Sequence, residues 1–215
     1  MSICYIVGAF ETDRLITPQP SDCVIAADAG YATLQRMNIK PDWIVGDFDS
    51  LGTVPIGDNV IRHSSMKNDT DMMLAIKIGL KEGYRSFRLY GSLGGRLDHS
   101  VANLQALSYL AEHEATGILL GETESATVVK NGSVFFDADS HGIISIFALN
   151  GIARGVTLNG LLYPLWHVEL AGTFPIGISN EFTGKRAEIC VADGFLTVLW
   201  MGNFLPEKNI LEDSI

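Results

Sequence analysis

Near residue 120 the hydrophobic period of the chain changes, and that change limits the fold more than any single motif does. Upstream, short β-branched runs alternate with stretches of helical spacing. Strands are expected at Ile3–Val7, Cys23–Ala27, Trp43–Gly46, Val60–His63, Ser86–Tyr90 and Gly117–Leu120, and helices over Ala32–Met37, Thr70–Glu82 and Leu97–Glu112. In the last helix, Val101, Leu104, Leu107, Ser108 and Leu110 form the stripe expected to face a sheet. Downstream the helical period is lost. Thr127–Val129, Ser133–Phe136, Ile143–Ala148, Gly155–Leu158, His167–Leu170, Ala187–Val191 and Phe195–Trp200 read as short strands of an antiparallel sandwich. Asn131-Gly132 and Asp193-Gly194 read as tight turns between them, because Asn and Gly tolerate positive φ. The expected fold is therefore an α/β N-terminal domain with a mainly parallel sheet, residues 1–122, followed by an all-β C-terminal sandwich, residues 123–215. The boundary falls near residues 120–126 without a long linker, and the polar tail Glu207–Ile215 is expected to fray.

Composition narrows the class of function. A length of 215 residues suits one large domain or two small ones, and a hydrophobic fraction of 47% supplies a packed core. The formal charge is −10, and the 15 Lys and Arg are scattered, which argues against a nucleic-acid partner. An acidic enzyme can still bind an acidic nucleotide when divalent cations sit between carboxylate and phosphate, so a metal is expected to be obligatory. Cys4, Cys23 and Cys190 lack metal or redox spacing and read as buried, reduced thiols. No apolar run reaches the ~18 residues of a membrane span. The start, from Met1 to Gly8, lacks a basic segment and reads as a first strand, so no membrane partner and a cytoplasmic location are expected.

Ligands of an open α/β sheet sit beyond the carboxyl ends of its strands, so the polar residues there are the first candidates. Asp28 follows one expected strand, Asp47 and Asp49 the next, Asp69 and Asp71 the fourth, and Arg96, Asp98 and His99 the fifth. In Gly46-Asp47-Phe48-Asp49-Ser50 the two acids are two apart. In an extended segment both face one way while Phe48 points into the core, a geometry suited to one or two hard cations such as Mg2+. Taken alone, Asp-x-Asp fits a surface turn equally well. Lys67-Asn68-Asp69-Thr70-Asp71 opens a helix, with Asp69 or Thr70 as its cap, and a helix N-terminus beside a lysine is also a phosphate site. Lys67 could touch a phosphate that Asp71 reaches through metal. Gly91-Ser92-Leu93-Gly94-Gly95-Arg96-Leu97-Asp98-His99 matches neither a Walker A loop nor G-x-G-x-x-G, but its glycines let backbone N–H groups approach phosphate. Arg96 offers a planar fork, Asp98 could orient it or bind substrate, and His99 could donate to phosphate or merely cap the helix. His63, His113, His141 and His167 read as structural. Gly177–Phe182 puts polar side chains into a strand-rich region, for which a hairpin turn is the plain reading. Trp166 and Trp200 read as core or interface aromatics.

Taken in order, the motifs resemble those of the thiamine pyrophosphokinase family. They are Asp28-Ala29-Gly30, Lys40-Pro41-Asp42, Gly46–Ser50, Lys67–Asp71, Gly94–His99 with Asn103, Gly155–Leu158 through Tyr163-Pro164-Leu165, and Ser179-Asn180-Glu181-Phe182. The resemblance runs from about residue 24 to 200. It implies transfer of pyrophosphate from ATP to the hydroxyl of thiamine, giving thiamine diphosphate and AMP, with Mg2+ required. It also implies a catalytic nucleotide- and metal-binding domain over 1–122, a thiamine-binding sandwich over 123–215, and a homodimer with thiamine where the subunits meet. By the resemblance, Asp28, Asp47, Asp49 and Asp71 form the metal cluster, and Asp28, Lys67, Thr70, Arg96 and His99 meet the nucleotide. Asp98, Ser179 and Asn180 meet the substrate, and Asp47, Asp49, Asp71, Arg96 and Asp98 carry catalysis, with Asp28 or Asp98 as the base. Two positions depart from the family pattern: Ala29 where it has glycine, and the surroundings of Trp166-His167. Competing readings are another Mg2+-dependent nucleotide hydrolase or transferase, and a non-catalytic thiamine or nucleotide sensor.

Overall fold

The computed structural model describes residues 2–48, 57, 59–62 and 69–207. Three candidate site positions, Asp49, Ser50 and Lys67, and also His63, lie outside the described residues. The chain divides into two compact units, Met1–Glu122 and Thr123–Ile215.

In the first unit β1 (Cys4–Val7), β2 (Cys23–Ala27), β3 (Trp43–Gly46), β4 (Val60–Arg62), β5 (Ser86–Tyr90) and β6 (Thr116–Leu120) form a parallel sheet in the order β4-β3-β2-β1-β5-β6. Every residue of β1 and β2 is buried, as expected of central parallel strands covered on both faces. On one face Tyr5, Val7, Val24 and Ala26 pack with Leu34 of α1 (Gly30–Arg36). On the other, α2 (Asp71–Lys81) brings Gly79 so close to Phe87 and Cys4 that a Cβ there would meet the Phe87 ring at 2.6 Å. Leu107 and Leu110 of α3 (Leu97–Glu112) close over Gly117 of β6 in the same way. Cys4 and Cys23 stand opposite each other across β1 and β2 as free thiols, and their hydrogen bond and burial push the Cys4 thiol up. Cys190 is free as well, and only partly buried.

The stripe expected on α3 needs one correction. Val101 is exposed, and Asn103 is buried in its place together with Ala106, Leu107, Ser108 and Leu110. Position 103 faces inward because its amide has a backbone partner there, which hydrophobic spacing cannot register.

The second unit is all antiparallel: β7 (Glu124–Phe136), β8 (Ile143–Phe147), β9 (Ile152–Asn159), β10 (Leu165–Ala171), β11 (Gly177–Glu181) and β12 (Ala187–Met201). β7 and β12 pair along their whole length. On its other edge β12 changes partner midway, with β9 beside Glu188–Asp193 and β8 beside Thr197–Trp200. β10 adds to β9, and β11 adds to β8. Trp200, Phe136, Phe182 and Phe204 form the aromatic centre, with Phe136 and Trp200 ring centroids 5.2 Å apart. The Trp200 indole N–H donates to the Phe204 carbonyl at 3.0 Å, which satisfies its buried polar atom.

Three expectations fail here. Asn131-Gly132 and Asp193-Gly194 are not turns but lie inside β7 and β12, where three residues of β12 oppose Asn131 alone. Asn131 (φ 47°) accepts the Gly194 amide on its Oδ1 at 2.8 Å, so the turn-forming residues build a bulge that bends the long pair. Gly177–Glu181 is strand β11, not a hairpin turn. For the polar tail the expectation fails at Glu207, whose amide donates to the Phe135 carbonyl at 2.8 Å and whose carboxylate Arg186 grips at 2.9 and 2.6 Å, while residues 208–215 lie outside the described residues. Of the two tryptophans read as core or interface aromatics, Trp200 is core, whereas Trp166 is 72% exposed.

Candidate active site

From β1 the chain runs outward to β2, β3 and β4 on one side, then crosses to β5 and β6 on the other. The loops leaving β1 and β5 therefore diverge, and a crevice opens beyond the carboxyl ends of these strands. Gly8 donates to the Tyr90 carbonyl at 2.8 Å and Phe10 to the Gly91 carbonyl at 3.2 Å, which holds the two loops together at their base. Gly91 has φ 57°, and a Cβ there would overlap the Phe10 and Gly8 carbonyl oxygens. Only glycine fits.

Above this junction lies a cleft of about 240 Å³. Its walls are Gly8-Ala9-Phe10 after β1, Asp28 after β2, Asp47 after β3, Asp69-Thr70-Asp71-Met72 at the start of α2, Gly91 after β5, and His99, Ala102 and Asn103 on α3. Of the candidate residues, Asp28, Asp47, Thr70, Asp71 and His99 thus share one cleft. Arg96 and Asp98 are not among its lining residues, and Ser179 and Asn180 belong to the second unit.

Each of these positions has a local cause. Asp28 (φ 48°) ends β2 and donates its amide to the Val45 carbonyl at 2.7 Å, tying the turn to β3. After β3 Phe48 is buried as expected but takes φ 62°, so the backbone is not extended at this residue, and the placement of Asp49 relative to Asp47 lies outside the described residues. Thr70, not Asp69, caps α2, its hydroxyl accepting the Met73 amide at 3.2 Å. Asp69 instead takes Lys77 Nζ on both oxygens, at 2.8 and 2.7 Å, and this hydrogen bond holds the Lys77 ammonium above its ordinary value. Asp71 sits in the first turn, where the helix dipole favours a negative charge.

On the glycine loop, Arg96 forks onto Asp98, with Nε at 3.1 Å and Nη2 at 2.6 Å from its two oxygens. That contact, followed by the His99 amide, holds the exposed Asp98 carboxyl below the usual range. The His99 ring meets Phe10 edge-on, with centroids 6.2 Å apart. In the second unit the buried Asn180 accepts the Tyr163 amide at 2.9 Å and donates back to the Tyr163 carbonyl at 2.8 Å. Its amide therefore pins the Tyr163-Pro164-Leu165 motif. Ser179 is exposed at φ 56°, its backbone N–H donating to the Ser145 hydroxyl.

Sequence reasoning missed Gly8-Ala9-Phe10, because a search for polar residues after strands passes over a glycine and two apolar side chains. The available signal was the strand itself: a fully apolar β1 ending in glycine. Asn103 entered the motif set without a role, and its amide donates to the Ser92 carbonyl at 2.7 Å, anchoring the glycine loop to α3.

The donor set suits a hard cation, since Asp28, Asp47 and Asp71 present only oxygen. Among the described residues, however, no three acidic, His or Cys side chains gather closely enough to form a ready cage. A hard cation such as Mg2+ needs no such cage, since it keeps waters and is held by one or two carboxylates together with substrate phosphates.

The comparisons with known proteins agree with this architecture. The family model described as thiamin pyrophosphokinase, catalytic domain, matches residues 17–120, and the one described as thiamin pyrophosphokinase, vitamin B1 binding domain, matches residues 136–196. A thiamine pyrophosphokinase of Bacillus subtilis (strain 168) is 27% identical over 184 residues, covering 81% of this chain and 85% of that protein. The crystal structure of a thiamin pyrophosphokinase from Geobacillus thermodenitrificans aligns with a TM-score of 0.78 at 25% identity, over 94% of this chain and 98% of its own. That of the Bacillus subtilis enzyme gives 0.80 at 22% identity, over 95% and 100%, a likeness of fold. Two models of one family match in order on one chain, and a curated relative spans most of both; this chain belongs to the thiamine pyrophosphokinase family.

Proposed function

We infer that the chain transfers pyrophosphate from ATP to the hydroxyl of thiamine, giving thiamine diphosphate and AMP. The observation that carries this reading is the cleft at the β1/β5 switch point. It joins four carboxylates, a helix N-terminus and a glycine loop in the unit that matches the catalytic model, while the second unit matches the vitamin B1 binding model. In the proposed reaction the thiamine hydroxyl attacks the β-phosphorus in line and AMP leaves, so catalysis is mostly positioning and charge stabilisation. Asp28, Asp47 and Asp71, with Asp49 carried over from the family motif, would hold Mg2+. When bound, the ion would offset negative charge on the phosphate oxygens. Thr70 fixes the start of α2, whose N-terminus favours an anion. Arg96 and Lys67 contribute positive charge, and Asp98 holds the Arg96 fork in one orientation before substrate arrives. Asp28 or Asp98 would guide the hydroxyl proton. His99 donates to phosphate from the cleft wall.

The thiamine side is proposed to lie on the second unit. Its two half-sheets, β10-β9-β12 and β11-β8-β12, share the bent β7–β12 pair, which supports closure as a sandwich around the Phe136–Trp200 centre. Ser179 would contact thiamine, with Asn180 acting by holding Tyr163. Tyr163, Trp166, Phe174, Ile176 and Ile178 are exposed on this unit, and we assign these apolar side chains to a homodimer with thiamine at the subunit boundary. Among the described residues no helix is long and apolar enough to cross a membrane. With its free thiols, the chain is proposed to work in the cytoplasm.

Incubation with ATP, Mg2+ and thiamine, with mass identification of the products, tests the reaction. Thiamine diphosphate and AMP in equal amounts are expected. Thiamine monophosphate with ADP would overturn the stated transfer, and AMP released at the same rate without thiamine would make the chain a nucleotide hydrolase.

A further inference from the structure

Two glycines with left-handed backbone stand side by side before α3, and their surroundings differ. A Cβ added at Gly94 (φ 91°) would meet nothing within 4 Å. A Cβ at Gly95 (φ 65°) would lie 2.5 Å from Cε1 and 2.9 Å from Cδ1 of Phe10, so one edge of the phenyl ring presses against the glycine backbone. Phe10 is also tied at the start of the same loop, its amide donating to the Gly91 carbonyl at 3.2 Å. The ring is only half-buried and lines the cleft, where an aromatic side chain adds less to stability than it would in the core. On the same wall the exposed His99 meets Phe10 edge-on, with 6.2 Å between centroids and 70° between planes, a usual geometry for such pairs. Among the described residues no hydrogen bond engages the imidazole nitrogens of His99, so packing against Phe10 sets the direction of its ring.

We propose that Phe10 is a positioning residue that aims the His99 imidazole at the nucleotide phosphates. The inference rests on the reading of His99 as a donor to phosphate. Phe10 gives the nucleotide no hydrogen bond of its own from its side chain. It restricts the imidazole to one direction before the nucleotide arrives, which reduces the freedom lost when that hydrogen bond forms. Gly95 belongs to the same device, because only a residue without Cβ lets the ring lie where it does.

The test reads the imidazole and the nucleotide separately. Histidine ring signals are followed by proton NMR in the nucleotide-free protein. Binding of α,β-methylene-ATP with Mg2+, an analogue whose α–β bridge resists cleavage, is measured by calorimetry. Phe10→Leu keeps apolar bulk and removes the ring. The His99 signal then shifts while those of His113, His141 and His167 stay, and the analogue binds about 3- to 10-fold more weakly. Gly95→Ala pushes the ring aside and moves the same signal. Phe10→Tyr keeps the ring, holds the His99 signal near its parent position and brings affinity back to within about 2-fold. His99→Ala weakens binding as well, and adding Phe10→Leu to it costs less than about 2-fold more, because the ring acts through the imidazole. A ring that merely braces the loop would weaken binding alike in both backgrounds. Losses that multiply therefore overturn the proposal, as does a His99 signal that ignores Phe10→Leu. Affinity unchanged in His99→Ala overturns the reading of His99 as a phosphate donor and the proposal with it, while affinity lost there but kept in Phe10→Leu overturns only the role of Phe10.

Discussion

Left-handed backbone has a use in the second unit that it lacks among the described residues of the first. In the first it follows elements and lies inside none: Asn38, Gly83 and Glu114 come after helices, Asp28 after β2, Phe48 after β3, and Gly91, Gly94 and Gly95 after β5. In the second it serves turns at Gly142, Gly151, Gly160, Gly184 and Gly202, but it also lies inside strands: Asn131 in β7, Gly155 in β9, His167 in β10, Ser179 in β11 and Gly194 in β12. The neighbouring elements cause the difference. Where the chain leaves a parallel strand, a positive φ stops the ladder, turns the chain out of the sheet and leaves a cleft beyond the strand ends. Where an antiparallel neighbour continues on both sides, the same φ cannot stop the ladder, so it becomes a bulge that bends the strand and re-aims its side chains. The first use makes room for a ligand, and the second shapes a sheet.

Substitutions at matched positions can break this comparison. The largest effect is expected for Gly91→Ala, whose Cβ would overlap two carbonyl oxygens at a φ that L side chains rarely adopt. A loss of about 3 kcal/mol or more in urea unfolding is expected, together with loss of nucleotide binding, because the β1 and β5 loops must separate. Asn131→Ala should do less. It removes the acceptor of the Gly194 amide and leaves a left-handed residue without that cross-strand hydrogen bond, a loss of about 1–2 kcal/mol, with the affinity for nucleotide unchanged. Should Asn131→Ala impair nucleotide binding as strongly as Gly91→Ala, the division between ligand-making and sheet-making backbone would fall.

The same division explains what the sequence reveals. Helix α3 is readable from spacing to its ends, and the strand-end rule leads to Asp28, Asp47, Asp71 and His99, which line one cleft. Both successes rest on period and on the position of polar residues. Asn131-Gly132 misleads because turn chemistry states which φ a residue tolerates, and not whether a partner strand waits on either side. Asn103 and Asn180 escape for a related reason: each is buried by a hydrogen bond to a distant carbonyl, Ser92 in one case and Tyr163 in the other, and pairings across 11 and 17 residues leave no trace in local pattern. Lys77 is hidden likewise, since nothing in its spacing ties it to Asp69 before the fold brings the helix over its own start.

The smallest expected effect comes from two ion pairs of like geometry, one in each unit. Arg96 and Arg186 both fork onto a carboxylate, exposed at Asp98 and half-buried at Glu207, with closest contacts of 2.6 Å. In each case the arginine hydrogen bond lowers the pKa of the acid. An acid lowered in the folded state contributes stability that is present above its unfolded pKa and lost as pH falls through the folded one. The pairs differ in their next neighbour. Asp98 has the His99 amide, whereas Glu207 has Asp137, whose pKa its hydrogen bond raises. A raised acid has the opposite sign: it opposes folding at neutral pH and is relieved as pH falls. Acidification through the carboxylate range should therefore weaken the Arg96 pair without compensation, while protonation of Asp137 offsets part of the loss at Arg186. Carboxyl carbon NMR titration checks this directly, with Asp98 and Glu207 expected to titrate below ordinary values and Asp137 above. In Arg96→Met the Asp98 midpoint should climb back to the ordinary range, and in Glu207→Gln the Asp137 midpoint should drop to it. An Asp137 that titrates before Glu207 on the way down in pH, as the raised acid should, marks the second pair as shared between two carboxylates; the reverse order would make the two ion pairs alike and remove the contrast.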